Sequence, residues 1–182
     1  DTGCVDEAAA TRMREAIDDA KRKGDTLGAE FEVAARGVPV GVGGFAQWTD
    51  RLDGRLAQAL MSIPSAKAVA VGSGFEAART RGSAFHDVIE KGEGRIVRPS
   101  NHAGGIEGGI SNGEEVRVRV IVKPIPTLMN RLPSVDLRTL EPAPAAIERS
   151  DTCVAAAAAV VGEAMVRIVL AEALLQAFGA DP

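Results

Sequence analysis

Hydrophobic and polar positions divide the chain into segments of two different periods. Residues 6–23 predict a helix, with acidic side chains in its first turn, Lys21 and Lys23 in its last, and Gly24 as the stop. Arg14/Asp18 and Asp19/Lys23 are expected as i,i+4 pairs on a solvated face. Phe31, Val33 and Ala35 alternate with Glu32, Ala34 and Arg36 and predict a strand. Four Gly and a Pro make 37–44 a loop. Leu52, Leu56, Ala59, Leu60 and Ile63 mark the buried side of a second helix, capped by Thr49 or Asp50. A short apolar strand over Lys67–Gly72 and a short helix through Phe75–Thr80 follow, and 82–105 reads as irregular. Val116, Val118, Val120 and Val122 alternate with Arg117, Arg119 and Ile121, a strand that Pro124 and Pro126 terminate. Asn112-Gly113 before it is a hairpin signal, because a type I′ turn needs φ > 0 twice. Residues 128–148 carry weak strand signals among prolines, and a long apolar helix occupies roughly 154–178, closed by Gly179.

Composition narrows the picture only slightly. The 182 residues, 46% hydrophobic and 25% charged, are the size of one domain or two small ones. A chain of this length buries roughly 70% of its unfolded surface, so no metal or disulfide staple is required. Five Phe, one Trp and no Tyr argue against a stacking platform for single-stranded nucleic acid. A net charge of -4 argues against binding polyanions by bulk charge. Arg outnumbers Lys sixteen to five, which makes small anionic ligands plausible, though coding bias produces the same excess. Cys4 and Cys153 make a weak disulfide case, so a reducing cytoplasm is the default expectation. Residues 1–23 lack an apolar leader core, and Glu163, Arg167 and Glu172 break the long apolar stretch, which weighs against a membrane span. The first residue is Asp1 and not Met, so the chain is expected to be part of a longer protein.

Four segments carry candidate chemistry. Val69-Ala70-Val71-Gly72-Ser73-Gly74-Phe75-Glu76-Ala77 has the strand–turn–helix order of a dinucleotide fingerprint. The bulk of Phe75, the early stop at Gly82 and the lack of an acidic strand end further on argue for an ordinary corner. His86 and His102 have no second ligand at a metal spacing, and no nucleophile elbow accompanies them. The glycine-rich run 98–113 would let a backbone approach a flat or phosphorylated ligand, or would build plain turns. Arg149-Ser150-Asp151-Thr152 precedes the long helix, where an Arg fork and free N–H groups suit an anion and Asp151 suits a cap.

Several stretches together resemble the chorismate synthase family. They are Lys23–Gly28, Gly37-Val38-Pro39, Leu60–Pro64, Gly72–Phe75, Arg81-Gly82-Ser83, Asn101–Gly113, Lys123–Thr127, Arg149–Cys153 and Gly162–Met165. The Asn-His-Ala-Gly-Gly-Ile-Glu-Gly-Gly-Ile-Ser segment is the most specific of them. The resemblance spans essentially the whole chain and implies an α+β fold, part of a β-α-α-β sandwich in which an antiparallel sheet packs on helices. It implies a single domain over 1–182 that is the C-terminal half of the family protein, with the N-terminal half absent. The implied reaction is a 1,4 anti elimination of phosphate from 5-enolpyruvylshikimate 3-phosphate to give chorismate. This is the last step of the shikimate pathway and of its supply of aromatic amino acid precursors.

Reduced FMN is the implied cofactor, with NADPH entering only as a source of flavin reduction. Flavin contacts fall on Pro64, Ser65, Gly108, Lys123, Pro124, Ile125, Pro126, Thr127 and Arg149. Arg149 would also face the substrate, and Asp151 would assist proton transfer at the flavin. The family is commonly a homotetramer. Its catalytic histidines and most of its anion clamps belong to the half that is not here, so the chain alone is expected to be inactive. Gly28-Ala29, Val42-Gly43-Gly44, Ser65, Ala68, Ser73 and the Ala run at 155–159 depart from the family pattern. Two alternatives remain open: a non-catalytic flavin-binding or partner-docking fragment, and an NAD(P)-binding fold through Gly72–Ala77.

Overall fold

The computed structural model describes residues 2–94 and 96–179; Asp1, where the missing Met was noted, lies outside them. Helix α1 (Glu7–Lys23) starts where Asp6 accepts the Ala9 N–H at 2.7 Å and ends at Gly24, whose φ of 68° lets the Asp25 N–H turn back to the Ala20 carbonyl. Asp19 binds Lys23 as expected. Arg14 instead reaches back to Glu7 and Thr11, so the expected Arg14/Asp18 pair does not form.

Three strands make the principal sheet: β1 (Ala29–Ala35), β2 (Ala66–Val71) and β7 (Val116–Val122). β7 is central and antiparallel to both neighbours, with Phe31 opposite Val120 and Val69 opposite Val120 on its other side. The alternation in β7 decides the layers. Val116, Val118, Val120 and Val122 face inward with at most 1% exposure, while Arg117 and Arg119 lie on the outer face. Burying four valines on a central strand stabilises the sheet by roughly 1.5–3 kcal/mol each before entropy is charged against it.

Two helices cover the inner face, α2 (Leu52–Met61) and the long C-terminal helix α5 (Ala155–Phe178), and with the sheet they form the hydrophobic core. Leu52, Leu56 and Leu60 of α2 are fully buried. α5 lies against β1 so closely that a Cβ on Gly162 would fall 2.5 Å from the Phe31 ring. Arg55 of α2 ties the two helices by bonding Glu172 at 2.9 Å and Gln176 at 2.7 Å. The expected α+β class, with an antiparallel sheet packed on helices, is what the chain adopts.

Smaller elements differ from expectation. α2 begins at Leu52 and has no side-chain cap from Thr49 or Asp50; the Gly109 carbonyl takes the Leu52 N–H instead, at 2.8 Å. The helix expected over Phe75–Thr80 is a single turn, α3 (Gly74–Ala77). The irregular stretch contains α4 (Gly82–Phe85) and a two-residue ladder between β3 (Glu90–Lys91) and β4 (Ile96–Val97). β5 (Ile106–Glu107) pairs with β6 (Ile110–Ser111) around Gly108-Gly109. Asn112-Gly113 turns the chain, yet β6 and β7 are not partners, so the expected hairpin across it is absent. β8 (Pro133–Val135) and β9 (Pro142–Pro144) form the hairpin within the Pro-rich stretch.

Candidate functional site

One end of the principal sheet gathers most of the residues singled out by sequence. Ala29, Val122 and Ala66 stand in register there, so the residues just outside them, Gly28, Lys123 and Ser65, become neighbours. The Lys123 N–H donates to the Ser65 carbonyl at 2.9 Å. Ser65 has φ 72°, a left-handed conformation that a non-glycine residue adopts at a cost of about 1–2 kcal/mol. Such strain persists where neighbouring structure over-determines it, here by the turn from α2 into β2 and the bond to Lys123. A Cβ on Gly28 would lie 2.8 Å from the Val122 carbonyl and 3.0 Å from Pro124, so the two segments touch through backbone.

Residues 149–153 join this end through separate ties. Leu27 bridges Cys153 in parallel, its N–H donating to the Thr152 carbonyl at 2.8 Å. Thr26 donates its hydroxyl to the Ile125 carbonyl at 2.7 Å. The Ser150 hydroxyl lies 2.9 Å from the Thr127 hydroxyl and reaches the Thr127 carbonyl at 3.2 Å. Pro64–Ser65, Lys123–Thr127 and Arg149–Asp151, three stretches distant in sequence, thus meet around the Thr26–Gly28 segment. Among the described residues, the Lys123, Arg149 and Asp151 side chains have no hydrogen-bond or ion-pair partner, which leaves two cations and a carboxylate free to meet a ligand. Asp151 does not cap α5: that helix starts after Val154 without a side-chain cap.

Gly108 is not part of this gathering. It sits at the opposite end of α2, where Arg51 donates to its carbonyl at 3.2 Å. The ten residues of α2 put roughly 15 Å of helix between that end and the turn at Ser65. Gly108 has φ 63° and open space where a Cβ would be.

Sequence reasoning missed how the glycine-rich segment is held. Asp87 accepts the Ser100 hydroxyl at 2.6 Å and the N–H groups of His102 and Ala103 at 2.8 and 2.9 Å. Burial alone would raise its pKa, but the Ser100 and backbone donors outweigh that and hold it below the ordinary value. The Asn101 amide bonds the Glu115 carbonyl and accepts the Gly105 N–H, both at 2.8 Å. His102 stacks on Phe85 with centroids 5.4 Å apart, and its Nδ1 lies 3.2 Å from the Ser73 hydroxyl. An Asp, a Ser and a His therefore do assemble. However, Asp87 holds the backbone of His102 and not its ring, so the relay that nucleophilic catalysis needs is absent.

The dinucleotide reading fails on packing. A Cβ on Gly72 would lie 2.3 Å from the His102 carbonyl and 2.4 Å from the Gly104 nitrogen, so this glycine admits the backbone of the 102–104 turn and not a pyrophosphate. The helix after it is one turn long, and β2 is antiparallel to its partner. A cleft of about 200 Å³ on the outer face of the sheet is lined by Glu32, Gly72, Ser73, Glu76, Asn101, Arg117 and Arg119. Its arginines are already neutralised: Arg119 by Glu76 at 2.6 Å, Arg117 by Glu115 at 2.6 Å. The opposing carboxylates raise both arginine pKa values, Glu115 for Arg117 and Glu76 for Arg119. The arginines of this cleft are thus held by carboxylates, although Arg119 keeps a buried Nε without a hydrogen-bond partner.

The family model for chorismate synthase matches residues 1–175. The chain belongs to the chorismate synthase family. It is 56% identical over 180 residues to the chorismate synthase of Moorella thermoacetica, a match covering 98% of this chain and 47% of that protein. It is 53% identical over 181 residues to that of Solibacter usitatus, covering 98% of this chain and 46% of the relative. A solved structure described as the crystal structure of chorismate synthase superimposes with a TM-score of 0.77 at 46% identity, over 94% of this chain and 44% of that one. The chain thus spans about half the length of the chorismate synthases it matches. Among the described residues, no helix is long and apolar enough to cross a membrane.

Proposed function

We propose that the chain forms part of a chorismate synthase, the lyase that removes phosphate from 5-enolpyruvylshikimate 3-phosphate to leave chorismate. The observation that carries this reading is the convergence of Pro64–Ser65, Lys123–Thr127 and Arg149–Asp151 at one end of the sheet. The chain then offers one wall of the site. The remaining anion clamps and acid–base groups come from the rest of the family fold, and the chain alone is inactive. The complete assembly is a cytoplasmic homotetramer in this reading.

Reduced FMN is the cofactor of this reading, and the gathered residues fit it: Lys123 and Arg149 supply positive charge with no carboxylate bound to either, beside the exposed prolines Pro64, Pro124 and Pro126. When bound, reduced FMN supplies electron density to the allylic system as phosphate leaves. Arg149 clamps an anionic group of cofactor or substrate with its planar fork. Lys123 neutralises charge as a point cation. Ser65 and Pro64 close one side and exclude water, and Thr127, tied to Ser150, sets the distance between the Lys123 and Arg149 segments. The Asp151 carboxylate takes up or passes the proton released in the elimination. Gly108 enters this reading only through the resemblance, as a flavin contact at the far end of α2.

The test is chorismate formation under anaerobic conditions with reduced FMN, by the chain alone and by the chain mixed with the part of the Moorella thermoacetica enzyme that the match leaves out. No turnover is expected alone and measurable turnover in the mixture, falling about 100-fold or more with Asp151→Ala. Turnover by the chain alone near that of a full-length relative, or none from a mixture shown to associate, overturns the reading.

A further inference from the structure

A second cavity, of about 500 Å³, opens beside the turn into β7 and falls in the range of small-molecule sites, about 300–1,000 Å³. Separate segments wall it: Val40 from the loop before α2, Ile89, Ile96 and Val97 from around the β3–β4 ladder, Arg98, and the turn Asn112-Gly113-Glu114. Val40, Ile89 and Ile96 are all exposed, so three large apolar side chains from distant stretches share one opening. The turn is seated on the loop: a Cβ on Gly113 would lie 2.9 Å from Val40 Cγ2. Two charged groups face this apolar lining. The Arg98 side chain is only 13% exposed, yet few of its five N–H groups find acceptors. One guanidinium nitrogen donates to Glu107 at 3.1 Å, another reaches the Asn112 carbonyl at a long 3.4 Å, and Nε is buried with no partner. A buried donor without an acceptor is costly and calls for an explanation. Glu114 is half-buried, and among the described residues its carboxylate has no partner; only its backbone N–H is held, by the Asn112 side chain at 3.0 Å. β7, roughly 23 Å long, separates this turn from Lys123.

We propose that this cavity binds an α-amino acid with a large apolar side chain. Arg98 takes its carboxylate, Glu114 its ammonium group, and Val40, Ile89 and Ile96 its side chain. The charges choose the class. Glu107 already holds one edge of Arg98 and Glu114 is unpaired, so the lining as a whole is negative and repels a bare anion. A bare amine would answer Glu114 and leave the spare Arg98 donors without an acceptor. A zwitterion answers both, since its carboxylate accepts from the planar fork while its ammonium meets the free carboxylate. The two protein charges also converge on one residue. Arg98 reaches the Asn112 carbonyl, and Glu114 follows Asn112 by two positions and is tied to its side chain. The two charges of an α-amino acid likewise flank one carbon. None of these residues belongs to the wall of Lys123 and Arg149, so the inference does not depend on the flavin reading.

The experiment is titration calorimetry of the chain with four probes and needs no flavin. L-phenylalanine carries both charges and an apolar body. L-alanine lacks the body, 3-phenylpropionate the ammonium group and phenethylamine the carboxylate. Saturable one-to-one binding of L-phenylalanine is expected, with each of the other three at least tenfold weaker. Glu114→Gln should weaken L-phenylalanine at least tenfold and leave the melting temperature unchanged, because the carboxylate it removes bonds nothing in the chain. Arg98→Lys should weaken it as well, since a point cation cannot offer the fork. If Arg98→Lys unfolds the chain, Val40→Ser stands in, an exposed side chain whose loss should weaken L-phenylalanine and spare L-alanine. Four results would each overturn the proposal. They are no saturable binding, binding of 3-phenylpropionate or phenethylamine as tight as that of L-phenylalanine, binding indifferent to Glu114→Gln and Val40→Ser, and binding abolished on adding the unmatched part of the Moorella thermoacetica enzyme, which would assign the cavity to that polypeptide.

Discussion

Ser65 and Asp87 show how much a single residue decides here. Ser65 bears a left-handed backbone that glycine would adopt without strain. Ser65→Gly is therefore expected to stabilise the chain by up to about 1 kcal/mol, a rise of roughly 2–4 °C in melting temperature measured by calorimetry. A fall in stability instead would show that the Ser65 side chain holds the turn. Asp87 acts at a distance, collecting three donors from the 100–103 segment. Its folded pKa lies below the ordinary value of 3.8, so its contribution is fully present above that value and is lost as pH falls through the lower folded one. Melting curves from pH 6 down to pH 2.5 should show this loss in the wild type, and Asp87→Asn should lack that part of it. The variant should also be destabilised by about 1–3 kcal/mol at neutral pH, since the amide keeps one oxygen acceptor but loses the charge and turns an NH2 toward donors that the second oxygen had accepted. Neither role was legible in the sequence: Ser65 was named only through the resemblance, and an aspartate in an irregular stretch carries no sign of donors 13 to 16 residues away.

Elements were legible where one physical signal dominated. Asp6 and Gly24 bound α1, and the valine alternation defines β7, because caps and two-residue periods are local. The start of α2 was misread for the opposite reason. Thr49 and Asp50 are good caps, but the Gly109 carbonyl, contributed by a hairpin far along the chain, satisfies the first N–H instead. Asn112-Gly113 makes a turn as its residues require, yet β7 has two long partners already and leaves β6 to pair with β5. α5 offers the sharpest test at this scale. Glycine within a helix normally costs about 1 kcal/mol relative to alanine, so Gly162→Ala should stabilise by propensity. The added Cβ would meet the Phe31 ring at 2.5 Å, an overlap that overpacking data value at about 1–3 kcal/mol. Net destabilisation in urea unfolding is expected, with much of it relieved by Phe31→Leu; a neutral or stabilising Gly162→Ala would show that α5 shifts freely over β1.

At the scale of the molecule, the family was legible because its motifs are long and ordered, whereas the geometry of the candidate site was only half so. Lys123–Thr127 and Arg149–Asp151 sit side by side because β7 ends where β1 begins, a consequence of sheet register that no local pattern encodes. Gly108 was expected in the same group and stands apart, because α2 lies between it and Ser65. That same register has a consequence in time. β1 emerges during synthesis about ninety residues before the end of the strand it must pair with, and β2 also waits for β7. At 5–20 residues per second, β1 spends roughly 5–20 s as an unsatisfied ribbon outside the ribosome. Glu30 and Glu32 on its outer side then act as gatekeepers, charges that discourage two nascent ribbons from pairing with each other before the proper strand arrives.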